Sequence, residues 1–273
     1  MRAIPFVKMN GTGNDFLMID NRAGLLKEAE LAAFARAACP HRLSAGGDGV
    51  ILVEASASRG HDYRMRIFNS DGSEAEMCGN GSRCVSVFAR RVEAAGEAQV
   101  IETLAGTLHA EAPADGLSAR VQLSPPSRMD VHPRLDVLGE PRDVYFMNTG
   151  VPHAVIFVAD LAKLDVKRVG AAIRYHEAFK PKGTNANFVQ LLGGNEIRIR
   201  TYERGVEDET LACGTGATAC AIVAARVQDL KSPVTVHVNA GSLRIHFKLE
   251  GGLASRPYLE GPVQTVYKGE YFW

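Results

Sequence analysis

A frame that occurs twice constrains this 273-residue chain more than any other feature. "RMRIFNSDGSEAEMCGNG" ends at Gly81 and "IRIRTYERGVEDETLACGTG" ends at Gly216. Each reads as a strand with alternating arginines, an aromatic residue, a polar pair, a glycine-and-acid turn, and then Cys-Gly-x-Gly opening a helix. Cys78 and Cys213 stand 135 positions apart (213 − 78), so the chain consists of two pseudo-equivalent halves. A looser echo of "GTGNDF" (11–16) in "GTNANF" (183–188) agrees. A duplicated chain of this kind predicts two similar domains facing one another, with the active site in the interdomain cleft.

Between these frames the chain is rich in short β-type runs, among them "FLMID", "GVILVEA", "SARVQL", "HAVIFV" and "LRIHFKL". Many alternate apolar with polar residues, as half-buried antiparallel strands do. Helical patterns are few: 27–38, the segment from Gly81 to Gly96 with Cys84, Val85, Phe88 and Val92 on one stripe, and 216–228. The last is apolar nearly all round, and such a helix belongs inside something. The fold class is therefore α/β in the α+β sense: two pseudo-symmetric domains, each a curled, mainly antiparallel sheet wrapped around a central helix. The Pro-rich "LSPPSRMDVHP" (123–133) is the linker candidate.

Lys plus Arg equals Asp plus Glu, and no basic run suited to a phosphate backbone occurs, which argues against nucleic acid and anionic membrane as partners. The N-terminus lacks the apolar core of a signal peptide, and no apolar run approaches the roughly 20 residues that cross a bilayer. A cytoplasmic location is the expectation. Five cysteines, an odd number without an export signal, argue against a disulfide framework. The spacings Cys78-x5-Cys84 and Cys213-x6-Cys220 are wider than the knuckles of structural zinc sites, so no metal is expected.

In each frame a thiol precedes a helix whose first turn is freed by glycine to let backbone approach a ligand. The helix start offers free N–H groups and the positive end of the macrodipole, which suit a carboxylate and favour thiolate. Two such starts converging on one small anion would place Cys78 and Cys213 on opposite sides of it. That is a two-base racemase: one sulfur removes an α-proton, the other delivers a proton to the opposite face, and donors from both helices stabilise the charge that develops. No pyridoxal-binding signature is present to supply an electron sink. Cys84 and Cys220 fall within helices and Cys39 ends one, so these three read as core.

"GTGNDF", "FNSDGSEAEMCGNGSRC", "GVPH", "TNANFVQ" and "YERGVEDETLACGTGATA" resemble, in order, the signature segments of the diaminopimelate epimerases. The resemblance implies conversion of LL-2,6-diaminopimelate to the meso form, serving lysine and peptidoglycan synthesis, without cofactor or metal and as a homodimer. It implies that the C-terminal segment returns to the first domain, giving 1–123 plus 261–273 with Cys78, and 124–260 with Cys213. It makes Cys78 and Cys213 the acid–base pair. Gly79 with Asn80, and Gly214 with Thr215, would hold the reacting carboxylate, and Asn14 would line the substrate site. Asn69, Asn185 and Arg204 would grip the distal end, where Arg binds carboxylate in bidentate fashion. Glu203 and His153 would support the reacting centre. Val151 and Gly49 depart from the family pattern, which often has Asn and Gln there. Two alternatives stand beside this reading: a proline-racemase-like isomerase of another small amino acid, and a thiol-redox or zinc-binding protein.

Overall fold

A computed structural model describes residues 1–251 and 253–273. The chain divides into two units, Met1–Gln122 with Glu260–Trp273, and Leu123–Leu259. The first unit begins with β1 (Ala3–Gly11), β2 (Asn14–Asp20), α1 (Leu31–Ala38), β3 (Gly49–Glu54), β4 (Tyr63–Asn69) and β5 (Glu74–Ala75). It continues with α2 (Gly79–Arg91), β6 (Ala98–Thr103), β7 (Gly106–Glu111) and β8 (Ser118–Gln122). Most neighbouring strands are antiparallel, but β2 pairs with β3, and β4 with β6, in parallel. Parallel neighbours need a crossover, and α1 and α2 supply the two.

The second unit repeats the plan with β9 (Asp130–Val137), β10 (Glu140–Asn148), β11 (Pro152–Phe157), α3 (Val166–Arg174), β12 (Asn185–Gly193) and β13 (Glu196–Glu203). Then come β14 (Asp208–Thr210), α4 (Gly214–Val227), β15 (Val234–Val238) and β16 (Gly241–Glu250). Here β11–β12 and β13–β15 are the parallel pairs, bridged by α3 and α4. After β17 (Leu253–Pro262), the C-terminal β18 (Gln264–Phe272) pairs antiparallel with β1, as β9 pairs with β10 in the second unit.

The central helices explain the curl of each sheet. Every residue from Asn80 to Ala89 of α2 is buried, against β1, β2, β3, β7 and β8. Every residue from Gly216 to Ala225 of α4 is buried likewise, against strands from β10 to β16. A helix without a wet face can be stable only inside such a wrapping. The outer helices are amphipathic: Leu31, Phe34 and Ala38 of α1 pack with Leu17 and Ile19 of β2 and Val50 and Leu52 of β3. In the second unit, Val166, Val169 and Ile173 of α3 pack with Ala154, Ile156, Ala186 and Phe188. Each side chain so buried contributes roughly 1.5–3 kcal/mol.

The repeated arginines lock the turns that lead to the cysteines. Arg66 of β4 meets Glu74 of β5 in a bidentate pair, at 2.7 and 2.9 Å. Arg200 of β13 meets Glu209 of β14 the same way, at 2.7 and 2.6 Å.

Three expectations change. The helix expected to reach Gly96 ends at Arg91, because Glu93 turns left-handed (φ 55°) and Ala94 N–H donates to Ala89 O while Glu93 N–H donates to Arg90 O. That double bond closes the helix end without glycine. The linker shortens, since β9 starts at Asp130; the β9–β10 register shifts beside Pro133, which has no N–H to give the ladder. Of the segment 27–38, residues 28–30 form a single 3-10 turn before α1. Helix α3 was not expected; it starts at Asp165, whose carboxylate caps Arg168 N–H at 3.0 Å.

Candidate active site

The two cysteines occupy the same local position. Cys78 is the N-cap of α2 with φ −143° and ψ 118°, and Cys213 is the N-cap of α4 with φ −127° and ψ 108°. Each carbonyl accepts the first helical bond, from Ser82 N at 2.7 Å and from Ala217 N at 2.8 Å. Neither sulfur caps its own helix, so the N–H groups of the first turn stay available to an anion. The second glycine of each motif lies close against a neighbouring side chain. A Cβ on Gly81 would come within 2.7 Å of Ile51 Cδ1, and one on Gly216 within 2.5 Å of Asn187 Oδ1.

In the first unit a directed chain of amides lies beside the α2 start. Asn80 Nδ2 donates to Asn14 Oδ1 at 2.8 Å, and Asn14 Nδ2 donates to Asp48 Oδ2 at 2.9 Å. Asn80 Oδ1 accepts from Arg83 Nη2 at 3.0 Å, which fixes the orientation of every amide in the row. Asn69, at the exposed end of β4, donates to Ser73 Oγ at 3.0 Å. Gly49 pairs with Asn69 across β3 and β4, and a Cβ there would meet the Phe68 carbonyl at 2.5 Å. No side chain fits at that point without moving a strand.

In the second unit Cys213 heads a buried relay. Its Sγ lies 3.5 Å from Thr215 Oγ1, which lies 3.0 Å from His153 Nε2. Asn187 Nδ2 bonds both His153 Nδ1 at 3.2 Å and Ala154 O at 2.9 Å, and its Oδ1 accepts from Thr201 Oγ1 at 3.0 Å. The carbonyl of Ala154 requires a donor, so Asn187 presents N–H to the ring, and His153 carries its proton on Nε2, toward Thr215. Full burial, with the Arg204 cation nearby, pushes His153 down to about 3. It is a neutral donor at ordinary pH and not an acid–base residue of the usual kind. Burial raises the Glu203 carboxyl. Asn185 spends its amide on backbone, donating to Pro152 O at 3.0 Å and accepting from Arg204 N at 2.7 Å. It thereby sets the chain from which Arg204 and His153 project.

The remaining cysteines are of another kind. Cys39, Cys84 and Cys220 are buried and free, and burial raises all three thiols, Cys39 to about 11 and Cys84 to about 12. They stay protonated and pack as small apolar side chains.

The family model described as diaminopimelate epimerase matches residues 6–129 and 145–266. The chain belongs to the diaminopimelate epimerase family. It is thus an isomerase, of the amino-acid epimerase type. A diaminopimelate epimerase of Aquifex aeolicus is 46% identical, covering 97% of this chain and 96% of that protein. One of Methanocella arvoryzae is 41% identical, covering 99% and 97%. Among solved structures, a phenazine biosynthesis protein of the PhzF family from Bacillus anthracis superposes with TM-score 0.74 at 16% identity, covering all of both chains. A probable proline racemase from Agrobacterium radiobacter, with bound carbonate, gives 0.68 at 15%, covering 98% of this chain and 93% of that one. At such identities these two show a shared fold.

Several residues of this epimerase-family site lay outside the sequence expectations. Asn187 is the second asparagine of "TNANF", and the reading from motif position favoured only the first. Thr149 donates to Thr215 O at 3.0 Å, holding the start of α4. Asp48 anchors Asn14, and Arg83 anchors Asn80. Arg83 had a signal: it is a cation on a helix that is otherwise small, apolar or hydroxylated through its middle. As for metals, side-chain atoms of Asp15, His41 and Asp48 lie within 4.8 Å of one another. A cation already sits there, for Lys8 Nζ is 2.7 Å from Asp15 Oδ2. No helix among the described residues is long and apolar enough to cross a membrane.

Proposed function

We propose that the chain converts LL-2,6-diaminopimelate to the meso form by two-base proton transfer, in lysine and peptidoglycan precursor synthesis. The observation that carries the reading is the pair of cysteines at the N-cap positions of two helices in the same backbone conformation. The names of relatives at 38–46% identity over nearly the whole chain supply the substrate. In this mechanism one of Cys78 and Cys213, as thiolate, takes the α-proton, and the electron pair left on carbon delocalises into the carboxylate. The other, as thiol, gives its proton to the opposite face of the same carbon. Charge and atoms balance, and the two sulfurs end with exchanged protonation states.

The backbone N–H groups at Gly79, Asn80, Gly214 and Thr215 would receive the reacting carboxylate, where developing charge is stabilised without reorganisation. Glu203 suits the α-ammonium, since its raised carboxyl regains ionisation beside a cation. His153 acts as a positioning residue through Thr215. Asn69, Asn185 and Arg204 would serve the distal amino-acid end. No cofactor enters the scheme.

Turnover of LL-diaminopimelate in deuterated water should place deuterium at the α-carbon, and Cys78→Ala and Cys213→Ala should each abolish epimerisation. Full activity in either variant would sink the mechanism. Proline offered in place of diaminopimelate should not turn over; faster racemisation of proline would favour the racemase alternative. A homodimer is proposed on the family ground alone, and light scattering at twice the chain mass checks it.

A further inference from the structure

One face of α3 is spent on the turn between β13 and β14, which carries Glu203 and Arg204. Residues three, four and seven apart share a helix face, and Lys167, Gly170 and Arg174 each meet that segment. Lys167 Nζ donates to Asp208 Oδ2 at 2.8 Å. Gly170 lies directly against Tyr202, where an added Cβ would come 2.8 Å from Cγ of the ring. Arg174, the last residue of α3 and 16% exposed in its side chain, donates from Nε to Glu207 Oε1 at 3.1 Å.

Arg174 also touches a second segment. A Cβ on Gly183 would collide with Arg174 Nη1 and come 2.6 Å from the Arg174 carbonyl oxygen, so the turn at Lys182 and Gly183 packs on this residue. Arg204 Nη1 donates to Lys182 O at 3.2 Å, and Arg204 N–H donates to Asn185 Oδ1 at 2.7 Å. Arg204 is thus held between its own turn and the Lys182–Gly183 turn, and Arg174 braces both.

Glu207 stands where glycine would be the unstrained choice. Its φ is 58°, in the left-handed region, and the residue six before the first cysteine, Gly72, has φ 84° (78 − 6 = 72; 213 − 6 = 207). The carboxylate supplies what a glycine cannot. Oε1 accepts from Gly205 N–H at 3.0 Å as well as from Arg174, while the Glu207 N–H donates to Glu203 O at 2.8 Å. The Gly205 N–H first, and Arg174 with it, hold this carboxyl below the usual carboxylate range. One residue therefore ties down both neighbours of Arg204. A partly exposed ion pair contributes little to stability by itself, and backbone strain persists where a site makes use of it.

We propose that Arg174 and Glu207 are positioning residues for Arg204: their ion pair locks the turn, aims the guanidinium, and so sets affinity for the second, non-reacting amino-acid end of the substrate. The chemistry at the α-carbon is left to the two thiols. The inference rests on the reading of Arg204 as a ligand of that distal end.

The test separates KM from kcat for LL-diaminopimelate in the full chain. Glu207→Gly is the informative variant, because glycine accepts the left-handed turn and removes only the carboxylate. It should melt no lower than the parent. Glu207→Gly and Arg174→Gln should each raise KM by about tenfold with kcat kept within about twofold, the signature of lost uniform binding at the strength of one charge-assisted hydrogen bond. Combining Glu207→Gly with Arg204→Gln should give the KM of Arg204→Gln alone, since the pair acts through that residue. A folded Glu207→Gly chain with the parent KM overturns the proposal and makes the pair structural. Where Glu207→Gly fails to fold, a parent KM in Arg174→Gln does the same. Multiplying effects in the double variant also overturn it, as would a fall in kcat at unchanged KM. Failure of the distal-end reading would look different: Arg204→Gln alone would keep the parent KM.

Discussion

Replacing the second glycine of each motif with alanine should affect the two halves unequally. At Gly216 the new Cβ would lie 2.5 Å from Asn187 Oδ1 and 3.3 Å from both Cys213 Sγ and His153 Cε1. Asn187 is fully buried, and its amide is held by Thr201, Ala154 and His153, so it cannot step aside without breaking those bonds. Overpacking costs about 1–3 kcal/mol, and each buried polar group left unsatisfied costs about 1–3 kcal/mol more. Against this stands a gain of about 1 kcal/mol for alanine over glycine within a helix. Gly216→Ala should therefore destabilise by about 1–5 kcal/mol. At Gly81 the obstruction is Ile51 Cδ1 at 2.7 Å, the free end of a flexible side chain. Turning it off its rotamer costs about 0.5–1.5 kcal/mol, which the same helix gain nearly offsets. Gly81→Ala should thus lie within about 1 kcal/mol of the parent. Urea titrations of the two variants, followed by far-UV circular dichroism, measure the difference. Gly216→Ala costing no more than Gly81→Ala would refute the assignment of Asn187 as a rigid neighbour.

His153, held near 3 when folded and near 6.5 when unfolded, makes the unfolded chain the better proton acceptor between those values. Stability should be full above about pH 6.5 and fall by up to ~1.4 kcal/mol per unit as pH drops toward 3. His153→Gln should flatten that slope, and equal slopes in urea midpoints between pH 7 and 4 would contradict the assignment. Arg66, 6% exposed in its side chain, is the more deeply placed of the two repeated arginines, Arg200 being 25% exposed. Arg66→Met strands the Glu74 carboxylate and should cost about 3 kcal/mol, while Arg200→Met should cost nearer 1 kcal/mol. Thermal melts of the two variants check the order, and the reverse order would show that burial does not control these pairs.

The architecture was legible because it was written twice. Alternating arginines, an acid turn and Cys-Gly-x-Gly recur at half-chain spacing, and local rules suffice to read a strand, a turn and a capped helix from them. The apolar surface of "GATACAIVAARV" announced a buried helix, because no wet face was available to it. Less was visible where tertiary packing overrode the local signal. Helix α2 ended five residues before Gly96, through a left-handed Glu93 that only surrounding structure can hold. Helix α3 escaped notice because "VKRVGAAIR" is short and its apolar positions gain meaning only against β12 and β13.

The same division runs through the site. Sequence by itself determined that two thiols stand at two glycine-freed helix starts, since the cap and the glycines act within a few residues of each other. It could not tell Asn187 from Asn185, because the two stand two positions apart in one strand and so line the same face of it. Only the fold turned Asn187 toward His153 and Asn185 toward backbone. Nor could it tell that Arg83 is dry: burial is a property of what lies around a residue, and the strands that enclose α2 come from segments as far apart as β1 and β8. The repeat made the halves look alike, and only the tertiary structure shows how their interiors differ, with the guanidinium of Arg83 buried in α2 where α4 has the hydroxyl of Thr218.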